Sequence, residues 1–434
     1  MVRALPEAGF SDLVLPDEFW ADFAAHNWEQ KPLVLKRPFT RLFAAPDELL
    51  DAARTASRAF LDAKSRRHAS QVARVRIFVD GAGLFSDLED FLPDVSDPDI
   101  EQFFARMATK LGDRRFEFIA HELQEFSPPL WHRIRRFLRG LYRHVGLPAQ
   151  RAETVAFLRT HERTSFGMHR DDAGVFVFVL VGHKRILTWP ESSMSGREQF
   201  LSTTKYGQFR DEAIVLEGEP GDVLYWPSSH WHVGETDGTP SVTLHVLLHL
   251  WPAAMDGLRQ LSQLAQRRVA DAIGPTWPLE VDDLKASAKA VPEALREALN
   301  AARQLCDGPE LERYVAFAWL KRVTASGFTR VPTLAPHRQL SDHNTVRAVA
   351  DEPIVCIPFG DDRVACSAAG HAMVAPASAE LSRLLARLSQ GRCEQVGALL
   401  AAVLKDGAGA GERAVSLREI LEKLMHFGAI VCIS

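Results

Sequence analysis

Between Thr154 and Leu250 the chain is built from short apolar runs separated by turn residues, and this stretch limits what the rest can fold into. Val175 to Val181 is unbroken apolar sequence, Val223 to Trp226 is a second run, and Val242 to Leu250 is a third. Runs of this length, bounded by turn signals, read as buried strands of a β-rich core. Helical periodicity flanks that core on both sides. Phe19, Trp20 and Phe23 recur at helical spacing ahead of the extended Lys31-Pro32-Leu33-Val34-Leu35, and helices alternate with short strands to about residue 150. One helix, Trp131 to His144, puts Ile134, Phe137, Leu138, Leu141 and Tyr142 on one face. Arg133, Arg135, Arg136, Arg139 and Arg143 occupy the remainder, which predicts a solvated arginine face rather than an anion-binding one.

Beyond Trp251 the pattern turns helical, with Leu258, Leu261 and Leu264 on one stripe, then Pro292 to about Cys306, then Leu311 to Val323. Such a segment needs a surface to pack on, and a second copy of the chain is the candidate, so a homodimer is expected. The last hundred residues read as a separate α+β unit. Ile354 to Ile357 is a strand, Val364 to Val374 a hairpin, and Leu381, Leu384, Leu385 and Leu388 mark a helix. A final helix is predicted to open with Ser416 and Glu419 in capping-box spacing, to end at Gly428 and to feed a strand Ala429 to Ile433. Helices mixed with a small β-wing predict a winged-helix-like unit. Its last helix sets Arg418 and Lys423 against Glu419 and Glu422, a balanced face suited to packing or protein binding rather than to phosphates. The expected division is 1–251 for the β-rich domain, 252–330 for a helical dimerisation segment and 331–434 for the winged-helix-like domain.

Lys and Arg total 51 against 56 for Asp and Glu, a formal charge of −5. No global field therefore draws the chain to nucleic acid or anionic lipid, and direct binding to either is not expected. The five cysteines, Cys306, Cys356, Cys366, Cys393 and Cys432, are odd in number and never spaced as CxxC. They predict reduced thiols in a cytoplasm and exclude a zinc ribbon. Met1 to Phe10 carries Glu7 and no apolar run, and no later apolar stretch approaches the roughly 20 residues of a membrane span. Neither secretion nor membrane insertion is expected.

Chemistry concentrates in Thr164-Ser165-Phe166-Gly167-Met168-His169-Arg170-Asp171. His169 and Asp171 are two apart, so on extended backbone both side chains leave one face and can meet one ion. With 16 histidines and 56 acids in 434 positions, about two His-x-Asp/Glu matches are expected by chance; the chain has one. A third ligand is offered by Gly221-Asp222-Val223-Leu224-Tyr225-Trp226-Pro227-Ser228-Ser229-His230-Trp231-His232, where a strand ends at Pro227 and histidines reappear as the chain turns back. Two histidines and one carboxylate leave adjacent metal positions open, which suits non-haem Fe(II) and oxygen chemistry better than a closed zinc site.

In these motifs the chain resembles the JmjC and cupin-like Fe(II)/2-oxoglutarate oxygenases, and most of all their bacterial ribosomal oxygenase branch, which hydroxylates a ribosomal protein side chain. The resemblance runs through the Trp28 to Phe39 region, His169-x-Asp171, the Gly221 to Tyr225 strand, the helical middle and the C-terminal unit. It implies an α+β fold with a double-stranded β-helix (jelly-roll) core. It also implies Fe(II), 2-oxoglutarate and O2 as cofactor and cosubstrates. In the family the distal histidine falls five residues after the strand-ending proline, which selects His232 over His230. The family's basic partner of the far carboxylate of 2-oxoglutarate, fifteen positions after the first histidine, falls on Lys184. Many relatives carry a hydroxyl residue three positions before that histidine; this chain has Phe166, and Thr164 or Ser165 is the substitute.

Other histidines are read more plainly. His245 and His249 share a strand face with Thr243 and could line the pocket, though a hydrogen-bonded histidine is the commoner outcome; His161 and His183 are taken as structural, and Tyr225 and Trp226 as core and rim aromatics. The preferred function is hydroxylation of a protein or peptide side chain, with a ribosomal protein as one candidate. A tailoring oxygenase acting on a small metabolite or biosynthetic peptide is the second reading, and a metal-holding cupin-like binding scaffold the third. Substrate choice is assigned to the Glu191 to Ala213 insertion, the Asp113 to Pro129 region and the arginine-bearing helix.

Overall fold

A computed structural model of the chain describes residues 2–3, 13–65, 75–148, 150–160, 165, 167–197, 205–250, 259, 261–266, 296, 299–300, 303–304, 306, 308–334, 336–350, 352–404 and 409–433. Two compact units emerge, Met1–Leu250 with Ser326–Thr333, and Trp251–Ala325 with Leu334–Ser434.

In the first unit the order is β1 (Val2–Arg3), α1 (Asp17–His26), β2 (Leu33–Leu35), α2 (Pro46–Ser65), β3 (Val75–Val79), β4 (Ala82–Gly83), α3 (Ile100–Leu111), β5 (Phe116–His121), α4 (Pro128–Val145), β6 (Arg151–Arg159), β7 (Ala173–Val181), β8 (Lys184–Pro190), α5 (Glu191–Met194), β9 (Ile214–Gly218), β10 (Val223–Trp226), β11 (His230–Glu235) and β12 (Ser241–His249). Nine strands form one sheet in the order β1-β2-β10-β7-β12-β6-β5-β3-β4, and three form another, β11-β8-β9. The two sheets make the double-stranded β-helix that the family resemblance implies.

The unbroken apolar run on β7 follows from burial on both faces. Phe176 and Phe178 point outward onto Phe137, whose ring centroid lies 5.4 and 5.2 Å away, and Phe178 stacks on Phe43 at 3.8 Å. Val175 and Val177 point the other way, into a cluster with Ile186, Leu216, Leu224 and Trp226. The outer layer comes from α1 and α4. Ser127 caps α4 by accepting from Leu130 N, Pro128 and Pro129 occupy its first turn, and Gly146 at φ 78° follows its end. A Cβ at Gly140 would meet Trp20 Nε1 at 2.1 Å, so glycine is what lets α1 lie against α4. Two arginines of α4 depart from the solvated face expected of them, while Arg136 and Arg143 are exposed as expected. Arg135 is buried with its guanidinium 4.1 Å from the Trp131 ring, and Arg133 Nη1 bonds Glu48 Oε2 at 2.8 Å. A long side chain can lay its stem and planar head on an aromatic face, which helical periodicity alone does not reveal.

Ser326–Thr333 returns to this unit through Gly327, whose carbonyl accepts from Ala152 N at 2.8 Å, and through Ser326 O, which accepts from Tyr142 Oη at 3.1 Å. No helix among the described residues is long and apolar enough to cross a membrane.

The second unit contains α6 (Pro309–Thr324), β13 (Thr345–Ala348), β14 (Val355–Pro358), β15 (Arg363–Ala368), β16 (His371–Pro376), α7 (Ala379–Leu388), β17 (Glu394–Gln395), α8 (Val396–Val403), α9 (Ala410–His426) and β18 (Ile430–Cys432). Its sheets are β17-β13-β18 and the meander β14-β15-β16, and its core gathers Val346, Leu384, Leu399, Leu400, Leu421 and Leu424. Two expectations are corrected here. Helix α9 starts at Ala410 after Gly409 at φ 75°, so Ser416 lies two turns inside it and caps nothing; its exposed face hides the true start. Cys356 and Cys366 are not reduced thiols but a disulfide, because the β14–β15 register sets them directly opposite at a Cα separation of 4.1 Å. Of the predicted leucine stripe, Leu258 lies outside the described residues, as does most of Pro292 to Cys306, while Leu264 is buried.

Candidate metal centre

Gly167 at φ 69° turns the chain after β6, and residues 168–171 then run beside β11. His169 and His232 form an isolated antiparallel bridge, with His169 N donating to His232 O at 3.0 Å and His232 N to His169 O at 2.7 Å. Residues directly opposite in such a pair project from one face, so the two imidazoles meet, their centroids 4.3 Å apart. Asp171 adds its carboxylate, with Oδ2 3.8 Å from His169 Nε2 and 3.5 Å from His232 Nε2. The three donor atoms all lie within 4.8 Å of one another. His230, whose Nδ1 sits 3.3 Å from Ser229 Oγ, does not join them.

The tautomers follow from the backbone. His169 Nδ1 faces Gly167 O at 3.0 Å and His232 Nδ1 faces His230 O at 3.4 Å. A carbonyl only accepts, so each Nδ1 carries the proton and each Nε2 keeps its lone pair toward Asp171. Burial, with the nearby His169, pushes the His232 pKa down to about 3, so this imidazole is neutral at physiological pH. Two imidazole nitrogens and one carboxylate oxygen are a donor set that fits a divalent first-row ion such as Fe(II).

Glu29 fixes the turn that precedes β11. Its carboxylate accepts from Ser228 N at 3.1 Å, from Ser228 Oγ, and from Tyr225 Oη at 3.2 Å, while Glu29 N donates to that same Oη at 2.9 Å. A Cβ at Gly174 would meet Glu29 Oε1 at 2.6 Å, so glycine opens the space. Trp226 closes the site from below with its ring 4.7 Å from His232. Trp226 is thus buried inside the site and is not a rim residue.

The triad lines a cavity of about 480 Å³ between the two sheets, together with Lys184, Arg159, Phe157, His245 and Trp226. Lys184, at the start of β8, is 1% exposed; burial and the neighbouring Arg159 hold its ammonium well below the usual lysine range. Arg159 is likewise 1% exposed, with Nη2 2.8 Å from Oε1 of the fully buried Glu117. Neither Arg159 nor Glu117 stands out in the sequence, because each is one charged residue among many on a strand. The signal that could find them is parity: Arg159, Phe157 and Val155 alternate on the inward face of β6.

Thr164 and Phe166 lie outside the described residues, as does His161. Ser165, the other candidate hydroxyl, is engaged elsewhere, donating from N and Oγ to Glu117 Oε2 at 3.1 and 2.7 Å. His245 both lines the cavity and bonds Thr243 Oγ1 at 3.1 Å, and burial keeps it neutral. His249 instead pairs with Glu153 Oε2 at 3.2 Å, alongside His121 at 2.7 Å from Oε1. Next to this cluster, burial and the Glu153 charge push the Glu122 carboxyl up to about 7.

Residues 131–255 match the family described as JmjC domain. Over that stretch the chain is similar to JmjC domains. No curated protein matches the chain. Among solved structures it is similar to YcfD, a ribosomal oxygenase from Escherichia coli, at 16% identity over 96% of this chain and 98% of that one, with a TM-score of 0.48. The same protein in complex with cobalt and 2-oxoglutarate matches at 16% identity, 96% and 98% coverage and a TM-score of 0.49. Oxalate decarboxylase from Bacillus subtilis is similar over 32% of this chain and 26% of its own, at 12% identity and a TM-score of 0.18.

Proposed function

We propose that this JmjC-like domain hydroxylates a side chain of a protein or peptide, with a ribosomal protein as the first candidate substrate. His169, Asp171 and His232 would hold Fe(II), and Lys184 would pair with the far carboxylate of 2-oxoglutarate. The observation that carries the reading is one cavity with three convergent metal donors and a sealed lysine. Bound iron with 2-oxoglutarate and O2 supplies the oxidising power for C–H hydroxylation, with succinate and CO2 as the other products. The chain's own groups position and protect. The backbone bridge and the Glu29 turn hold the ligands, Trp226, Phe157 and Ile186 give the cavity an apolar wall that excludes water, and no side chain need transfer a proton.

A protein substrate is favoured over a small metabolite because the cavity is lined wholly by the first unit, while the chain carries a second unit with its own core. In this reading residues 331–434 form a winged-helix-like module for protein contact, and 252–330 supplies a dimer interface that light scattering would register as twice the chain mass. The test is intact-mass measurement of ribosomal proteins and candidate peptides after incubation with enzyme, Fe(II), 2-oxoglutarate and O2. Gain of one oxygen on a protein, coupled to succinate, is the expected result. Coupled turnover on a small metabolite with every protein unmodified would overturn it.

A further inference from the structure

At the buried end of the cavity two basic side chains face a single acid. Lys184 and Arg159 both line the wall, both are 1% exposed, and the fully buried Glu117 is the carboxylate set against them. Arg159 Nη2 lies 2.8 Å from Glu117 Oε1, yet Nε, Nη1 and Nη2 all lack a hydrogen-bond partner among the described residues. The other Glu117 oxygen is taken by Ser165. A guanidinium is always charged and presents five N–H donors in a rigid fork, so leaving most of that fork sealed without acceptors is costly. An incoming carboxylate removes that cost. It offers lone pairs to both the planar fork and the lysine.

We propose that Arg159 is a second anchor for the far carboxylate of 2-oxoglutarate, sharing it with Lys184 in place of a hydroxyl residue. This rests on the reading of the cavity as a 2-oxoglutarate site. Glu117 then has two tasks, orienting the guanidinium and, through Ser165, tethering the segment that leads to His169. A merely structural ion pair would predict something different: loss of Arg159 would lower stability and leave ligand affinity alone.

Calorimetric titration of the Mn(II)-loaded protein separates the two. The probes are 2-oxoglutarate and pyruvate, which keeps the keto acid but has no far carboxylate, and unfolding temperature is recorded for each protein. Arg159→Met is expected to weaken 2-oxoglutarate binding roughly ten- to hundred-fold, with Mn(II) and pyruvate affinities unchanged. Glu117 is left uncompensated in that variant, so Arg159→Met/Glu117→Gln, which removes both charges, carries the test if the single variant does not fold. Unchanged 2-oxoglutarate affinity in a folded variant overturns the role of Arg159. A parent protein that binds Mn(II) but no 2-oxoglutarate overturns the oxygenase reading instead.

Discussion

At one end of the cavity two imidazoles face a carboxylate that is 34% exposed; at the other, two basic side chains are sealed at 1% exposure around one acid. The first end needs lone pairs, so backbone carbonyls take the Nδ1 protons and burial keeps His232 from charging. The second end needs charge, and the same burial works against it, lowering Lys184 and leaving Arg159 with orphan donors. Desolvation therefore completes one half of the site in the protein alone and leaves the other half dependent on an anion.

Breaking the metal end should have the largest effect. His169→Ala and His232→Ala are each expected to weaken Fe(II) or Mn(II) binding by more than the roughly ten- to hundred-fold typical of losing a supporting group, while His230→Ala leaves it intact. Anaerobic metal titration checks this, and loss in His230→Ala alone would reverse the ligand choice. At the basic end, Lys184→Met is expected to cost roughly ten- to hundred-fold in 2-oxoglutarate affinity with metal binding unchanged. Equal effects on both ligands would mean that the two ends are not separable. Glu29→Ala probes the support of the metal end. Freed from its clamp, the Ser228 turn should loosen and metal affinity fall by about ten-fold, with Glu29→Gln recovering part of it.

Glu122 lies outside both ends and sharpens the contrast by moving stability only. Its folded pKa of about 7 is above the usual 4.5, so the cost of ionising it grows as pH rises from about 4.5 and is full above 7. Glu122→Gln is expected to raise stability by about 1–2 kcal/mol at pH 8 and not at pH 4, with neither ligand's affinity altered. Denaturant melts at the two pH values measure it; an equal gain at both would assign the effect to packing.

Much of the barrel was legible along the chain, because strand burial imposes its own signature. A strand covered on both faces, such as Ala173–Val181, must be apolar throughout, and Gly221-Asp222 before Val223–Trp226 marks its turn. The convergence of His169 and Asp171 on one face was legible for a related reason, since two residues of spacing fix that geometry. Local spacing misled where a long side chain or a cross-strand neighbour decides the outcome: Arg135 lies on Trp131, Ser416 sits inside a helix, and Cys356 meets Cys366.

The sequence by itself determined which segments are buried strands and that the His169 and Asp171 side chains share a local face, because both depend on periodicities of a few residues. Only the tertiary structure decided that His232 and not His230 faces Asp171, and that Arg159, Glu117 and Lys184 share one sealed end. Those groups come from strands far apart in the chain, and their charges acquire meaning only once the sheets bring them together and exclude water.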